Sequence, residues 1–293
     1  MHSVHTVAQL HEVLADFRRA GDRVALVPTM GNLHAGHLAL VERARELADR
    51  VVVSVFVNPA QFAPGEDFEE YPRTLEADRE RLLEAGVDVL FAPRTGEMYP
   101  DGVGAVTVRV DRVTEGLCSG TRPDFFTGVA TVVTKLLVAA RPDWAVFGKK
   151  DYQQWVTVRR LVRNLLLDVE IEAVPVVREE DGLALSSRNR YLSSAHREMA
   201  SGLYRALRTA VRTGENENLD ARGVEREAWT MLEAAGLDPE YTEVRRRGDL
   251  ETVTDLQGPR VLLAAAHLGG TRLIDNLEFG SPDRTLEDSG SCR

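Results

Sequence analysis

The stretch LVPTMGNLHAGHLAL, residues 26–40, decides the fold, because an apolar segment passes there through a tight turn into a second apolar segment. Residues 24–27 are apolar and predict a buried β-strand. Residues 38–48 have the apolar spacing of an amphipathic helix. Gly31 and Gly36 give the turn between them the freedom to approach other groups closely. The stretch therefore predicts a strand–turn–helix unit of the kind that builds parallel α/β sheets.

Two histidines stand where the predicted helix begins. His34 and His37 are three residues apart, so their side chains lie on roughly one face of the helix. The first turn of a helix has unpaired N–H groups and a positive dipole end, which favour an anion such as a nucleotide phosphate. A structural turn with incidental histidines and a zinc site are the alternatives, and zinc would need a third protein ligand that the sequence does not place.

The rest of the first half alternates between strands and helices. VVVSVFV, residues 51–57, is a nearly continuous β-branched run and is typical of a strand buried on both faces of a parallel sheet. Further strands are predicted over 87–93, 143–148 and 171–177, and helices over 74–85, 127–140 and 152–167. This alternation predicts an α/β fold with a Rossmann-like parallel sheet.

The pattern changes near residue 177. Helices are predicted over 195–211 and 221–235, and strands over 241–246 and 261–266, the second joined through Gly269-Gly270 to the apolar run 271–279. A Gly-Gly pair between apolar runs is typical of a hairpin. We therefore predict a Rossmann-like domain over 1–176, a smaller α+β lid domain over 177–280, and a disordered polar tail over 281–293.

Composition excludes several classes of protein. The chain has 293 residues, a net charge of −10 and a pI near 5.3, which is not the global basic footprint of a nucleic-acid-binding protein. No apolar run is long enough for a transmembrane helix, and the N-terminal MHSVHTVAQLHEVL has no signal-peptide pattern. We expect a cytoplasmic protein without membrane or nucleic-acid partners. Its two cysteines, Cys118 and Cys292, cannot build a disulfide framework.

Three more polar motifs lie near predicted strand ends. FVNPAQF, residues 56–62, presents Asn58 and Gln61 just after a strand, where ligands of open α/β sheets bind, although Asn-Pro is also an ordinary strand terminator. FGKKDYQQ, residues 147–154, offers a cation for phosphate at Lys150, which is one of only three lysines, or else a capped surface helix. DGLALSSRNRYL, residues 181–192, supplies hydroxyls and an arginine for a triphosphate, but a linker with a turn is the better interpretation of that motif alone.

Taken in order, PTMGNLHAGH, FVNPAQF, YPRT, FGKKDYQQ and LSSRN closely resemble the pantothenate synthetase (pantoate–β-alanine ligase) family, with a looser match at TRLIDN, residues 271–276. The resemblance implies a Rossmann-like domain with a lid and a homodimer. It also implies that (R)-pantoate is joined to β-alanine with ATP and Mg²⁺, through a pantoyl adenylate. An isolated HxGH motif would be less specific, because nucleotidyltransferases and class I aminoacyl-tRNA synthetases share it.

The resemblance also implies roles for individual residues. His34, His37 and Lys150 would be catalytic. The ATP contacts would be Met30, Gly31, His34, Gly36, His37, Gly148, Lys149, Lys150, Asp151, Val177, Leu185, Ser186, Ser187 and Arg188. Gln61, Gln154, Met30 and Asn58 would bind pantoate or β-alanine, and Asp78 stands where a metal-associated carboxylate lies.

The chain departs from the family pattern at two positions. Lys149 stands where glutamate is usual, and Phe125 stands where histidine is usual. Neither departure affects the histidine pair or Lys150, so activity is expected. The alternatives are a nucleotidyltransferase that stops after nucleotide transfer, and a nucleotide-binding homologue with impaired catalysis.

Overall fold

The structure is a computed structural model that describes residues 1–63, 65, 66 and 68–280. It consists of two compact units, Met1–Val177 and Arg178–Arg293. The predicted disordered tail, together with Cys292, lies outside the described residues. Within the described ranges, no helix is both long enough and apolar enough to cross a membrane.

The first unit is built on a parallel sheet, as the alternation of elements predicted. Its strand order is β1-β4-β3-β2-β5-β6, and every neighbouring pair is parallel. The strands are β1 (His2–Val4), β2 (Val24–Thr29), β3 (Arg50–Val55), β4 (Val89–Phe91), β5 (Trp144–Gly148) and β6 (Glu170–Val174). The chain runs from β2 outward to β3 and β4, then returns to place β5 on the other side of β2. The carboxyl ends of β2 and β5 therefore form the topological switch point at which such sheets bind ligands.

Helices cover both faces of this sheet. They are α1 (Val7–Ala20), α2 (Ala35–Leu47), α3 (Leu75–Glu84), α4 (Thr95–Met98), α5 (Phe125–Ala140) and α6 (Tyr152–Leu165). Alternate residues of β2 enter different apolar clusters, since Leu26 packs with residues of α1 and α5 whereas Val27 packs with residues of α2. This division follows from the two-residue side-chain period of a strand buried on both faces.

The second unit is α+β. Its helices are α7 (Ser194–Ala200), α8 (Gly202–Glu217) and α9 (Ala221–Ala234), and its antiparallel sheet has the order β7-β8-β9, formed by β7 (Asp238–Arg246), β8 (Arg260–Leu268) and β9 (Thr271–Phe279). The predicted Gly269-Gly270 hairpin joins β8 to β9, where Leu268 pairs with Thr271. The prediction of one helix over 195–211 was wrong, because α7 ends at Ala200 and α8 begins at Gly202. Ser201, which lies between them, departs from ideal helix geometry at ψ −14°.

Candidate active site

The turn after β2 requires a glycine. Gly31 has φ +82°, in the left-handed region, and a Cβ atom there would lie 2.9 Å from Val55 Cγ1 and 3.0 Å from Asp78 Oδ2. Any side chain at this position would therefore be strained in its backbone and would crowd β3 and α3. The turn is consequently held against the sheet edge, directly ahead of the histidine pair.

Asp78 of α3 holds this turn in place through hydrogen bonds to its backbone. Its buried carboxylate accepts hydrogen bonds from the backbone N–H of Asn32 at 2.9 Å and of Leu33 at 2.8 Å, and from the Thr74 hydroxyl at 3.0 Å. The Arg81 guanidinium also donates to the Leu33 carbonyl oxygen. Across the described ranges, no group of three or more His, Cys, Asp or Glu side chains is placed to hold a metal ion.

The two histidines cap α2. His34 is the N-cap residue, and its Nδ1 atom accepts a hydrogen bond from the Gly36 N–H at 3.1 Å. His37 Nδ1 accepts from the His34 N–H at 3.3 Å, and the two ring centroids are 4.1 Å apart. Because a backbone N–H only donates, neither Nδ1 atom can carry a proton in this arrangement. In both neutral rings the proton is therefore on Nε2, which becomes a hydrogen-bond donor.

Burial and nearby positive charge keep both rings neutral. Burial, followed by the charge of Lys150, lowers the pKa of His34 to about 4. Burial, followed by His34 and Lys150, lowers the pKa of His37 to about 3. Near pH 7 the pair is thus two uncharged N–H donors beside a lysine cation, a group of donors suited to developing negative charge.

Lys150 follows β5 at the other side of the switch point. It lies in a short 3₁₀ helix, Lys149–Asp151, that leads into α6, and its Nζ atom is 4.0 Å from Asp151 Oδ2. Because β2 and β5 pair in parallel, the segments that follow them, with His34, His37 and Lys150, leave the sheet at the same edge, and the charge of Lys150 lowers the pKa of both histidines. The Lys149 ammonium lies 5.4 Å from the centroid of the Trp155 ring, a cation–π contact.

The adjacent glutamines of α6 have different surroundings. Gln153 is buried, and its amide accepts from the Cys118 N–H at 3.2 Å and donates to the Val113 carbonyl oxygen at 3.1 Å. Gln154 is half-buried, and no side-chain hydrogen bond of Gln154 occurs in the part of the chain that the structure describes. Gln153 thus fixes a neighbouring loop, whereas the predicted substrate residue, Gln154, keeps its amide available to a ligand.

Gln61 belongs to a buried network at the end of β3. Its Oε1 atom accepts from Asn58 Nδ2 at 2.8 Å, and Asn58 Nδ2 also donates to the Gly128 carbonyl oxygen at 3.1 Å. The Tyr99 hydroxyl donates to Asn58 Oδ1 at 2.7 Å. Sequence reasoning missed Tyr99 and Gly128, since both lie far from this motif along the chain and no local pattern marks them.

Gly128 allows α5 to approach this network. A Cβ atom on Gly128 would lie 2.0 Å from the Ala60 carbonyl oxygen, so any larger residue would displace the short 3₁₀ helix Pro59–Gln61. Arg122 contacts the same segment. Its guanidinium donates to the Gln61 carbonyl oxygen at 3.0 Å and pairs with the Glu66 carboxylate at 2.6 Å. Sequence reasoning did not single out Arg122 either.

The predicted phosphate loop lies in the second unit. Ser186 Oγ accepts from the Arg188 N–H at 3.3 Å, and a 3₁₀ helix follows over Ser187–Tyr191. Leu185 through Arg188 are half-buried. Asn189 Nδ2 donates to the Ala184 carbonyl oxygen at 3.1 Å, so the loop is bound to its own unit. Val177 is the last residue of the first unit.

Comparison with known proteins identifies the family. The sequence model of the pantoate-beta-alanine ligase family matches residues 2–278. This chain belongs to that family.

Members of the family resemble it closely in sequence. Pantothenate synthetase of Azotobacter vinelandii is 53% identical, and the alignment covers 94% of this chain and 98% of that protein. Pantothenate synthetase of Pseudomonas aeruginosa strain UCBPP-PA14 is 52% identical over the same shares of each chain.

Solved structures of family members also share the fold. The crystal structure of pantothenate synthetase from Thermus thermophilus has a TM-score of 0.86 and 47% identity, covering 94% of this chain and 99% of that one. Pantoate-beta-alanine ligase from Francisella tularensis, complexed with beta-gamma ATP and beta-alanine, has a TM-score of 0.80 and 32% identity, covering 94% of this chain and 97% of that one.

Phe125, which departs from the resemblance, has well-defined contacts. Its ring lies 4.0 Å from the guanidinium carbon of Arg122 and packs edge-on against Phe126, with 5.0 Å between ring centroids. The aromatic ring thus supports the arginine that holds the Gln61 segment. A histidine at 125 would present a smaller and more polar surface to the same guanidinium.

Proposed function

We propose that this chain catalyses the ATP-dependent condensation of (R)-pantoate with β-alanine, giving pantothenate, AMP and pyrophosphate. Family membership supports this proposal, as does the Francisella tularensis relative, which was solved in complex with beta-gamma ATP and beta-alanine. The observation that carries it is the pair of neutral histidines beside Lys150 at the switch point of the sheet.

The first step forms pantoyl adenylate. A pantoate carboxylate oxygen attacks the α-phosphorus of ATP, and the bond to the bridging oxygen breaks with release of pyrophosphate. Negative charge increases on the α-phosphate oxygens in the transition state. The Nε2–H groups of His34 and His37 and the ammonium of Lys150 are fixed donors for that charge, and fixed donors stabilise a transition state without reorganisation.

Neutral amides hold the acid during this step. We assign pantoate to Gln61 and Gln154, with Met30 beside the turn, because amide N–H groups suit carboxylate and hydroxyl oxygens. Gln61 also serves as the contact for β-alanine. Holding both reactants in one orientation replaces an improbable encounter in solution.

In the second step the β-alanine amine attacks the acyl carbon of the adenylate. The carbon–oxygen bond to AMP breaks, AMP leaves with that electron pair, and the nitrogen releases a proton as the amide forms. No side chain has to become a covalent nucleophile, since ATP activates the acid and β-alanine supplies the amine. A site that excludes water protects the adenylate from hydrolysis.

The same proposal assigns the remaining ATP contacts. Gly31 permits the turn that leads to His34, and Gly36 lies beside the phosphates in the first turn of α2. Gly148, Lys149, Asp151 and Val177 contact the nucleotide. Leu185, Ser186, Ser187 and Arg188 bind its phosphates through backbone N–H groups, hydroxyls and a guanidinium, which are the ordinary ligands of phosphate oxygens.

Magnesium belongs to the proposed reaction as a companion of ATP. The Asp78 carboxylate, which the family resemblance associates with a metal, is engaged by three donors of its own unit. Asp78 therefore already serves to hold the turn after β2, and we assign no step to a protein-held ion. Magnesium commonly enters phosphoryl-transfer sites on the substrate phosphates.

Assembly and location follow from the family resemblance. We propose a homodimer in the cytoplasm, working on small molecules. Light scattering after gel filtration tests the assembly, and a single species with the mass of one chain would contradict it.

Omitting each substrate in turn tests the function. Pyrophosphate should form only when both ATP and pantoate are present, and AMP and pantothenate only when β-alanine is added as well. A nucleotidyltransferase would give a stable nucleotidyl product without an amide. ATP binding without turnover would indicate an impaired homologue, and AMP release without pantoate would refute the proposal.

A further inference from the structure

Asn58 uses its whole hydrogen-bonding capacity inside the protein. Its Nδ2 group donates to Gln61 Oε1 at 2.8 Å and to the Gly128 carbonyl oxygen at 3.1 Å. Its Oδ1 atom accepts from the Tyr99 hydroxyl at 2.7 Å and from the Ala60 N–H at 3.3 Å. A side-chain amide has two donors and two acceptor positions, and Asn58 is 1% exposed. All four positions are therefore occupied, and none remains for a substrate.

Two backbone groups determine which way the Asn58 amide faces. The Ala60 N–H can only donate, so the atom facing it is the oxygen. The Gly128 carbonyl can only accept, so the atom facing it is the nitrogen. If the two amide atoms exchanged places, two donors would face each other at Ala60 and two acceptors would face each other at Gly128. Buried polar groups would then be left without hydrogen bonds. The orientation of Asn58 is thus set by the main chain.

The orientation of the Asn58 amide determines the orientation of the Gln61 amide. Because Asn58 presents N–H to Gln61, the Gln61 atom that faces it is Oε1. The Nε2 group then lies on the opposite side of the amide, and it makes no hydrogen bond within the described residues. The Tyr99 hydroxyl completes the arrangement, since it fills the second acceptor position of the Asn58 oxygen.

We propose that Tyr99 and Asn58 are positioning residues that hold Gln61 as a hydrogen-bond donor toward the substrate. This inference rests on the proposed function, and it makes Gln61 selective for groups that accept a hydrogen bond. A carboxylate is such a group, and both acids of the proposed reaction contain one. An ammonium, which only donates, would meet the wrong side of a correctly held Gln61.

A double-mutant cycle separates positioning from general support of the fold. The four proteins are wild type, Tyr99→Phe, Gln61→Ala and the double variant, compared by kcat/KM for pantoate at saturating ATP and β-alanine. Tyr99→Phe should lower kcat/KM about tenfold, because it leaves a buried oxygen short of one donor and loosens the amide chain. The KM for ATP should stay within about twofold of wild type, since that substrate is bound by other groups.

The decisive comparison is the same substitution in the Gln61→Ala background. If Tyr99 acts through Gln61, Tyr99→Phe causes no further loss there, because residues of one network are not additive. An equal loss in both backgrounds, or no loss in either, would overturn the proposal. Thr134→Val is the matched control, since it removes a hydroxyl on α5 that donates to the Ala130 carbonyl oxygen at 2.7 Å outside this network.

Side-chain amide NMR with ¹⁵N-labelled asparagine and glutamine distinguishes the two proposals. Adding pantoate should shift the Gln61 Nε2 signals and leave the Asn58 signals unchanged, and Tyr99→Phe should disturb both before pantoate is added. A pantoate-dependent shift in an enzyme that makes no AMP would retain the positioning role and reject the ligase. AMP formation by an enzyme whose Gln61 signals do not change on Tyr99→Phe would retain the ligase and reject the positioning role.

Discussion

At the scale of single residues, the histidine pair shows how backbone contacts set side-chain chemistry. Both Nδ1 atoms accept hydrogen bonds from backbone N–H groups, so both rings present Nε2–H. Burial and Lys150 then lower the pKa of each ring. The motif predicted phosphate-binding histidines, and the structure adds their protonation state, which depends on contacts that a sequence motif does not contain.

The pH dependence of adenylation follows from these values. With pKa values of about 4 for His34 and about 3 for His37, neither ring changes charge between pH 6 and 8. We therefore expect kcat/KM for pyrophosphate release to show no histidine inflection near pH 6.5 and to fall only as the pH approaches about 4. A pH profile of wild type and His37→Gln measures this. An inflection near 6.5 that disappears in His37→Gln would contradict it.

The stability of the folded chain should also depend on pH, because the pKa of His37 differs between the folded and unfolded states. The folded pKa of His37 lies below its ordinary value of 6.5, so the unfolded chain binds more protons between those two values. The free energy of unfolding should then fall as the pH drops from about 6.5 toward 3. Urea unfolding at pH 7 and pH 5 should show a smaller pH effect in His37→Gln than in wild type. An equal effect in both proteins would count against a buried neutral ring.

Removing one donor should cost much of the transition-state stabilisation. We expect His37→Ala and Lys150→Ala each to lower kcat/KM by about 30- to 1,000-fold, or about 2–4 kcal/mol, as with loss of one oxyanion donor. Steady-state AMP formation measures the loss. Arg160→Ala is the control for net charge, since it removes a cation from α6 outside the proposed site. Near-wild-type kcat/KM in His37→Ala and Lys150→Ala would remove both residues from the mechanism.

At the scale of elements, the spacing of apolar residues was enough to predict those strands and helices whose buried faces follow that spacing. The strands β2, β3 and β5 and the helices that follow them were predicted because apolar spacing reports two-faced or one-faced burial. The strand β1 and helix α1 were not predicted, although Thr6 and Gln9 form a capping box that signals a helix start. The hydrogen-bond network around Gln61 could not be predicted from a local motif, since Tyr99 and Gly128 contact Asn58 from 41 and 70 residues away.

The turn between β2 and α2 gives a test at this scale. Gly31 and Gly21 both have φ +82°, but only at Gly31 would a Cβ atom meet neighbours within 4 Å. Gly21→Ala should cost about 1–2 kcal/mol through its backbone alone. Gly31→Ala should cost more and should also reduce activity, because the turn that carries His34 must move. Chemical denaturation and AMP formation measure both effects, and equal losses in the two variants would show that the contacts at Gly31 are unimportant.

At the scale of the whole molecule, the two units have separate apolar cores. One unit packs helices on both faces of a parallel sheet, and the other packs α8 and α9 with an antiparallel sheet. The proposed contacts of pantoate and the histidine pair belong to the first unit, whereas Ser186, Ser187 and Arg188 belong to the second. The change of sequence pattern near residue 177 predicted this difference in architecture, because parallel and antiparallel sheets require different connections.

Separate cores give a final prediction. Leu26 and Leu207 are both 0% exposed and lie in the cores of the first and second unit, respectively. Leu26→Ala and Leu207→Ala should each lose about 2–5 kcal/mol of stability, from lost apolar burial and the cavity left behind. If each unit unfolds cooperatively by itself, calorimetry should resolve two transitions, with Leu26→Ala lowering one midpoint and Leu207→Ala the other. An ATP analogue should raise the midpoint that Leu26→Ala lowers, since the histidine pair and Lys150 belong to that unit and ligands stabilise the state that binds them. A single transition that both variants lower equally would mean that the two cores unfold as one cooperative unit.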